Sequence, residues 1–131
     1  MPTKKSPATA TVLVVEHQDA VRLLACSTLQ AAGYATLEAA DGLTAWQLFS
    51  RHRDRITCLV TDLVLPGFNG GALVDLAREL RPDLPVLMIS EASHAHLADE
   101  LPDLERISFL RKPFRSDDLL AIVTALLTSP N

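Results

Sequence analysis

Cysteine is scarce in this 131-residue chain, and the two that occur, Cys26 and Cys58, lie in apolar stretches with no CxxC and no Cys/His ligand spacing. A paired-cysteine metal site or a disulfide-stapled scaffold is not expected, and both side chains read as reduced core thiols. Positive charge is in deficit, with 12 Lys and Arg against 16 Asp and Glu for a net charge of −4. Contact with a nucleic-acid phosphate backbone needs a basic footprint, so direct nucleic-acid binding is not expected. No apolar run reaches the roughly 18 to 20 residues that span a bilayer, and Met1 to Ala10 has no apolar signal core. The expectation is a cytoplasmic protein without a membrane segment. No glycine-rich phosphate loop follows the first apolar run and no GxSxG is present, which argues against a flavin carrier or a hydrolase.

What is present is enough apolar residue, 48% of the chain, to bury the core of one ordinary domain. Residues 1–10, rich in Pro, Thr, Ser and Lys, read as a flexible lead-in, leaving 11–129 as the domain. There, short apolar runs alternate with longer stretches of helical period, the pattern of an α/β fold with a parallel sheet. Val12 to Val15, Leu59-Val60 and Val86 to Ile89 are apolar without alternation, as expected of central strands covered on both faces. Tyr34 to Glu38 is more polar and suits a sheet edge, and Ile107 to Leu110 reads as the last strand. In the first helix Val21, Leu24, Thr28 and Leu29 form the predicted buried stripe, stopped by Gly33; in the last, Leu119, Val123, Leu126 and Leu127 do the same. Asp41-Gly42 and Pro66-Gly67 mark turns, and Gly70-Gly71 marks the loop into the third helix. Pro102 limits a fourth helix in 91–104 to about two turns, so it is expected to be short or mobile.

Open parallel sheets bind ligands beyond the carboxyl ends of their strands. The predicted strand ends are selective: Glu16-His17, Thr61-Asp62, Ser90-Glu91 and Arg111-Lys112. Four ends thus bring carboxylates, a hydroxyl and an ammonium to one crevice. On these residues the chain resembles the response-regulator receiver family of two-component signalling, over essentially all of Thr11 to Leu127. VLVVEHQDAVR, Val12 to Arg22, resembles the acidic first-strand motif, and LVTDLVLPGFNG, Leu59 to Gly70, resembles the phosphoacceptor segment. VLMIS ends at the hydroxyl position, and FLRKPF carries an aromatic, a lysine and the following proline.

The resemblance implies a doubly wound sheet in the order 2-1-3-4-5 and a set of roles. Asp62 is the nucleophile that takes a phosphoryl group from a histidine kinase or histidine phosphotransfer protein. Lys112 pairs with Asp62 and then with phosphoryl oxygens. Ser90 hydrogen-bonds a phosphoryl oxygen, and Phe109 is the aromatic that reorients with it. The domain is then a phosphoacceptor rather than an enzyme, capable at most of self-phosphorylation from a donor and slow self-dephosphorylation. Phosphorylation shifts an equilibrium of the face around the fourth helix, fifth strand and fifth helix, where a downstream protein or a second copy docks. The chain also resembles the terminal receivers of hybrid kinases.

Divalent-cation binding is implied through Glu16, Asp62 and the backbone carbonyl of Val64. Here the chain departs from the pattern, because the second acidic position is His17. Mg²⁺ prefers oxygen ligands, so imidazole should weaken it. Three readings stay open: weakened Mg²⁺, a softer ion such as Mn²⁺ or Zn²⁺ that uses His17, and a protonated His17 acting without metal. The residues two past Asp62 and two past Ser90, where the family positions a hydrolytic water, are Val64 and Ala92. Neither side chain can hydrogen-bond water, so a long-lived phosphoryl group is expected.

Simpler roles stand beside these. Asp62 can cap a turn, Lys112 can be a solvated lysine before Pro113, and Phe109 can be plain core. His94 and His96 do not share a helix face, His52 suits a solvated helix end, and Trp46 with Phe49 reads as packing. The main rival is a pseudo-receiver that keeps the fold and binds partners without phosphate.

Overall fold

The computed structural model describes residues 10–91 and 106–128. In chain order the elements are β1 (Thr11–Val15), α1 (Asp19–Ala31), β2 (Ala35–Ala39), α2 (Gly42–His52), β3 (Ile56–Asp62), α3 (Gly70–Leu80), β4 (Val86–Ser90), β5 (Ser108–Arg111) and α4 (Ser116–Thr128). The strands form one parallel sheet in the order β2-β1-β3-β4-β5. This is the doubly wound order, with the three unalternated runs at its centre as their composition requires.

Side chains alternate across a strand, and here both faces are apolar. Leu13, Val15, Leu59, Val86 and Met88 point to one side, where Ala45, Phe49, Leu73, Val74 and Ala77 of α2 and α3 cover them. Val12, Val14, Cys58, Val60, Leu87 and Ile89 point to the other, under Ala25, Cys26 and Leu29 of α1 and Leu119, Val123 and Leu127 of α4. Trp46 and Phe49 stack with centroids 6.3 Å apart and belong to packing. Cys26 and Cys58 are both buried free thiols, and burial pushes the Cys58 thiol up to about 12 and Cys26 upward as well.

The turn chemistry is local. Asp41 accepts the Thr44 N–H at 2.7 Å to cap α2, and Asn69 accepts the Ala72 N–H at 2.9 Å to cap α3. Gly33, at φ 99°, supplies the left-handed residue just beyond α1.

Four expectations are corrected. Ala10 is not lead-in: it is 1% exposed and its carbonyl accepts the Ala35 N–H at 3.1 Å, closing the first pair of the β1–β2 ladder. Leu24 is 41% exposed, because the stripe of α1 that faces the sheet runs through the small residues Ala25 and Cys26 to Leu29. Leu126 of α4 is only partly buried, beside the buried Val123 and Leu127. Gly70 and Gly71 form the first turn of α3 rather than a loop, since Asn69 already caps it. The predicted fourth helix, with His94, His96 and Ala92, lies outside the described residues, as does residues 1–9 of the lead-in. Among the described residues no helix is long and apolar enough to cross a membrane.

Candidate functional site

Parallel strands deliver their last residues to the same edge. Glu16 and His17 follow β1, Asp62 closes β3, Ser90 closes β4 and Lys112 follows β5. Asp62 pairs with Ile89 and Ser90 with Arg111, so these residues come into register at one end of the sheet. His17, Asp62, Ser90 and Lys112 line a cleft of about 630 Å³ together with Gln18, Leu63, Val64, Leu65, Asn69 and Glu91.

Lys112 organises the cleft. Its Nζ donates to Asp62 Oδ2 at 2.8 Å, lies 2.8 Å from Glu16 Oε1 as an ion pair, and donates to Gln18 Oε1 at 3.1 Å. Both carboxylates are buried, Asp62 at 3% exposure, yet the Asp62 side chain opens onto the cleft. The remaining oxygens take backbone donors: Val64 N–H to Asp62 Oδ1 at 3.2 Å and Gln18 N–H to Glu16 Oε2 at 2.9 Å. Two buried negative charges are thus held by one ammonium and two amides, as buried charges must be.

Burial pulls the Lys112 ammonium down, but its hydrogen bonds and charge contacts with Asp62 and Glu16 outweigh this and leave it above the ordinary 10.5. A lysine raised in the folded state contributes stability that is complete below the unfolded value and is lost as pH rises through the folded one. The contribution of this contact is therefore expected to hold through neutral pH and fade only above about pH 10. Urea unfolding of the wild type and Lys112→Met between pH 7 and 11 checks it: the stability gap between the two should narrow only at the alkaline end.

His17 is exposed, with Nδ1 3.4 Å from both Glu16 Oε2 and Asp62 Oδ2. Glu16, His17 and Asp62 each offer a ligand atom within 4.8 Å of the others. Two carboxylate oxygens and one imidazole nitrogen suit a divalent cation, and the mixed donors suit Mn²⁺ or Zn²⁺ better than Mg²⁺.

The sequence-derived set is otherwise brought together. Ser90 is buried and lines the cleft, and its carbonyl accepts the Lys112 N–H at 2.9 Å. Val64 lies on the rim, 67% exposed, with its amide turned back to Asp62. Phe109, paired with Met88, is half-buried against the α2/α3 core, so it contributes packing in this state. Two contributors were not assigned roles from the sequence. Gln18 meets Lys112 across 94 positions, which no local signal reveals. Arg22 donates to the Glu16 carbonyl at 2.8 Å while bonding Asp19 and Glu38, fixing the chain just after β1; its place one turn into α1 was the only hint.

A doubly wound domain with a carboxylate–ammonium–hydroxyl cleft at its strand ends has the architecture of a signalling receiver. The chain matches the response regulator receiver domain family over residues 12–124 and belongs to it. It is 34% identical to the sensor kinase CckA of Brucella abortus (strain 2308), over 90% of this chain but 12% of that protein. It is 30% identical to the DNA-binding transcriptional regulator NtrC of Rhizobium meliloti (strain 1021), over 92% of this chain and 25% of that one. The chain therefore spans a quarter or less of these relatives. Among solved structures, the receiver domain of the hybrid histidine kinase CckA matches with TM-score 0.77 and 33% identity, covering 90% of this chain and 99% of that one. The chemotaxis protein CheY4 of Vibrio cholerae matches with TM-score 0.83 and 28% identity, covering 92% and 100%.

Proposed function

We propose that this domain accepts a phosphoryl group on Asp62 from a histidine kinase or histidine phosphotransfer partner in the cytoplasm. The observation that carries the reading is the 2.8 Å contact between Lys112 Nζ and Asp62 Oδ2 at the wall of an open cleft. An Asp62 oxygen forms the new O–P bond as the P–N bond of the donor phosphohistidine breaks, and the electron pair goes to the imidazole nitrogen, which takes up a proton. Lys112 then transfers its hydrogen bond from the carboxylate to a phosphoryl oxygen, stabilising charge where it accumulates. Ser90 offers its hydroxyl to a second oxygen, and Phe109 leaves its present packing to follow it. That movement re-shapes the face of β5 and α4 for a downstream protein or a second copy. A divalent cation, held by Glu16, Asp62, the Val64 carbonyl and in part His17, supplies further charge neutralisation when bound.

The test is incubation with acetyl phosphate and Mg²⁺ or Mn²⁺ followed by intact mass. One phosphoryl adduct is expected on the wild type and none on Asp62→Asn; an adduct that survives Asp62→Asn overturns the assignment.

One observation favours a second reading. The Lys112 ammonium and the His17 ring already neighbour both carboxylates, so the carboxylates have side-chain partners without phosphate or metal, as a phosphorylation-independent interaction module requires. Absence of any adduct on the wild type supports that pseudo-receiver.

A further inference from the structure

Lys112 has three ammonium protons and, among the described residues, donates to Asp62 Oδ2 and Gln18 Oε1 while Glu16 Oε1 lies 2.8 Å away as an ion pair. Only the first is consumed by the chemistry, since phosphorylation turns the Asp62 carboxylate into an acyl phosphate. The other two persist. Two anchored contacts hold the third N–H of a tetrahedral ammonium along one direction, whereas one contact leaves it free to rotate about that contact. We infer that Gln18 is a positioning residue: with Glu16 it aims Lys112 at the atom that receives the phosphoryl group. This rests on Asp62 being the acceptor.

The local structure of Gln18 supports the assignment. It occupies the N-cap of α1 with extended backbone, the place where a Ser, Asp or Asn side chain would satisfy the helix's first amides. Its own side chain caps nothing; it turns across the strand ends to Lys112 instead. The amide orientation is not arbitrary, because an ammonium only donates and so demands the Gln18 oxygen rather than the nitrogen. Its backbone N–H meanwhile donates to Glu16 Oε2, so Gln18 holds one of the Lys112 anchors and itself provides the other. Gln18 and Lys112 also line both the phosphoryl cleft and the neighbouring groove of about 240 Å³ formed with Val21, Leu24, Pro113 and Phe114. Without the carboxamide, the Lys112 N–H that Gln18 accepts turns to water from that groove.

The position separates a structural role from a functional one. Gln18→Ser supplies a capping hydroxyl to α1 and removes the Lys112 acceptor, so the melting temperature should rise while phosphorylation slows. With acetyl phosphate as donor, an Asp62 oxygen forms the O–P bond as acetate leaves with the electron pair of the broken bond. The second-order rate constant for this step is expected to fall about three- to tenfold in Gln18→Ser, the order expected when one orienting contact is lost. Gln18→Met, of similar length but without an acceptor, should slow to the same degree. In both variants the Lys112 ammonium protons should exchange faster with water by ¹⁵N-resolved NMR. An adduct on the wild type with unchanged rates and unchanged exchange in both variants overturns the positioning role alone. No adduct on the wild type overturns the proposed function, and the positioning role with it.

Discussion

Lys112→Met is expected to lower folding stability by about 2 kcal/mol and to reduce phosphoryl acceptance on Asp62 to a small residue. Removing one partner of a fully buried ion pair costs about 3–5 kcal/mol, because the other charge stays buried without compensation. Here the Lys112 side chain is 9% exposed and its two carboxylate partners less so, but the open cleft lets solvent reach the pair, so the loss falls below that range. The variant leaves Glu16 and Asp62 as two neighbouring carboxylates with no cation between them. Asp62→Asn makes the contrast. It removes one of two negative charges opposing a single ammonium and leaves the Lys112–Glu16 pair intact, so stability should change by less than about 1 kcal/mol or rise, by the same charge argument. Urea unfolding of both variants separates the cases; equal losses would show that Lys112 does not carry the charge balance of the cleft.

Gly70→Ala is expected to destabilise the domain by about 3 kcal/mol, at the upper end of overpacking costs, and to impair Asp62 at the same time. A Cβ at position 70 would overlap the Asp62 carbonyl oxygen and lie 3.1 Å from the Asp62 carbonyl carbon and 3.0 Å from Leu63 Cα. These are backbone atoms at the end of β3, and no rotamer change moves them aside. The Gly70 N–H donates to the Leu63 carbonyl at 2.7 Å, so the α3 N-terminus is clamped directly beneath Asp62. Relief by displacing α3 breaks that bond; relief by displacing β3 shifts Asp62 from Lys112. The prediction is checked by thermal melting together with the acetyl phosphate assay. A variant as stable and as reactive as the wild type would mean that the approach is looser than the geometry states. Gly67, at φ 82° with open space around its missing Cβ, behaves differently: substitution there meets backbone strain rather than a clash.

The legible parts of the molecule were those written in short-range pattern. Val12 to Val15 and Val86 to Ile89 are unbroken apolar runs, and only strands covered on both faces bury such runs in so few residues. Helix starts were less sharp. The Gly70-Gly71 pair looked like a loop because glycine disfavours helix, whereas close approach to β3 requires it there. The α1 stripe was misplaced for a different reason: spacings of three and four picked out Val21, Leu24, Thr28 and Leu29, whereas the residues buried against the sheet are Ala25, Cys26 and Leu29. Helix-to-sheet packing prefers the smaller side chains where the helix approaches most closely.

The site divides in the same way. Glu16, His17, Asp62, Ser90 and Lys112 could be nominated because each ends or follows an apolar run, and a parallel sheet places all such ends on one edge whatever else the chain does. That Lys112 lies equally close to Asp62 and Glu16, that His17 stands 3.4 Å from both carboxylates, and that Gln18 completes the set could not be nominated. Those distances depend on strand register, on the turn after β5 and on an N-cap side chain facing away from its own helix. Periodicity along a chain reports which face a residue occupies; it carries no information about how far apart two faces end up, and the electrostatics of this cleft are set by that separation.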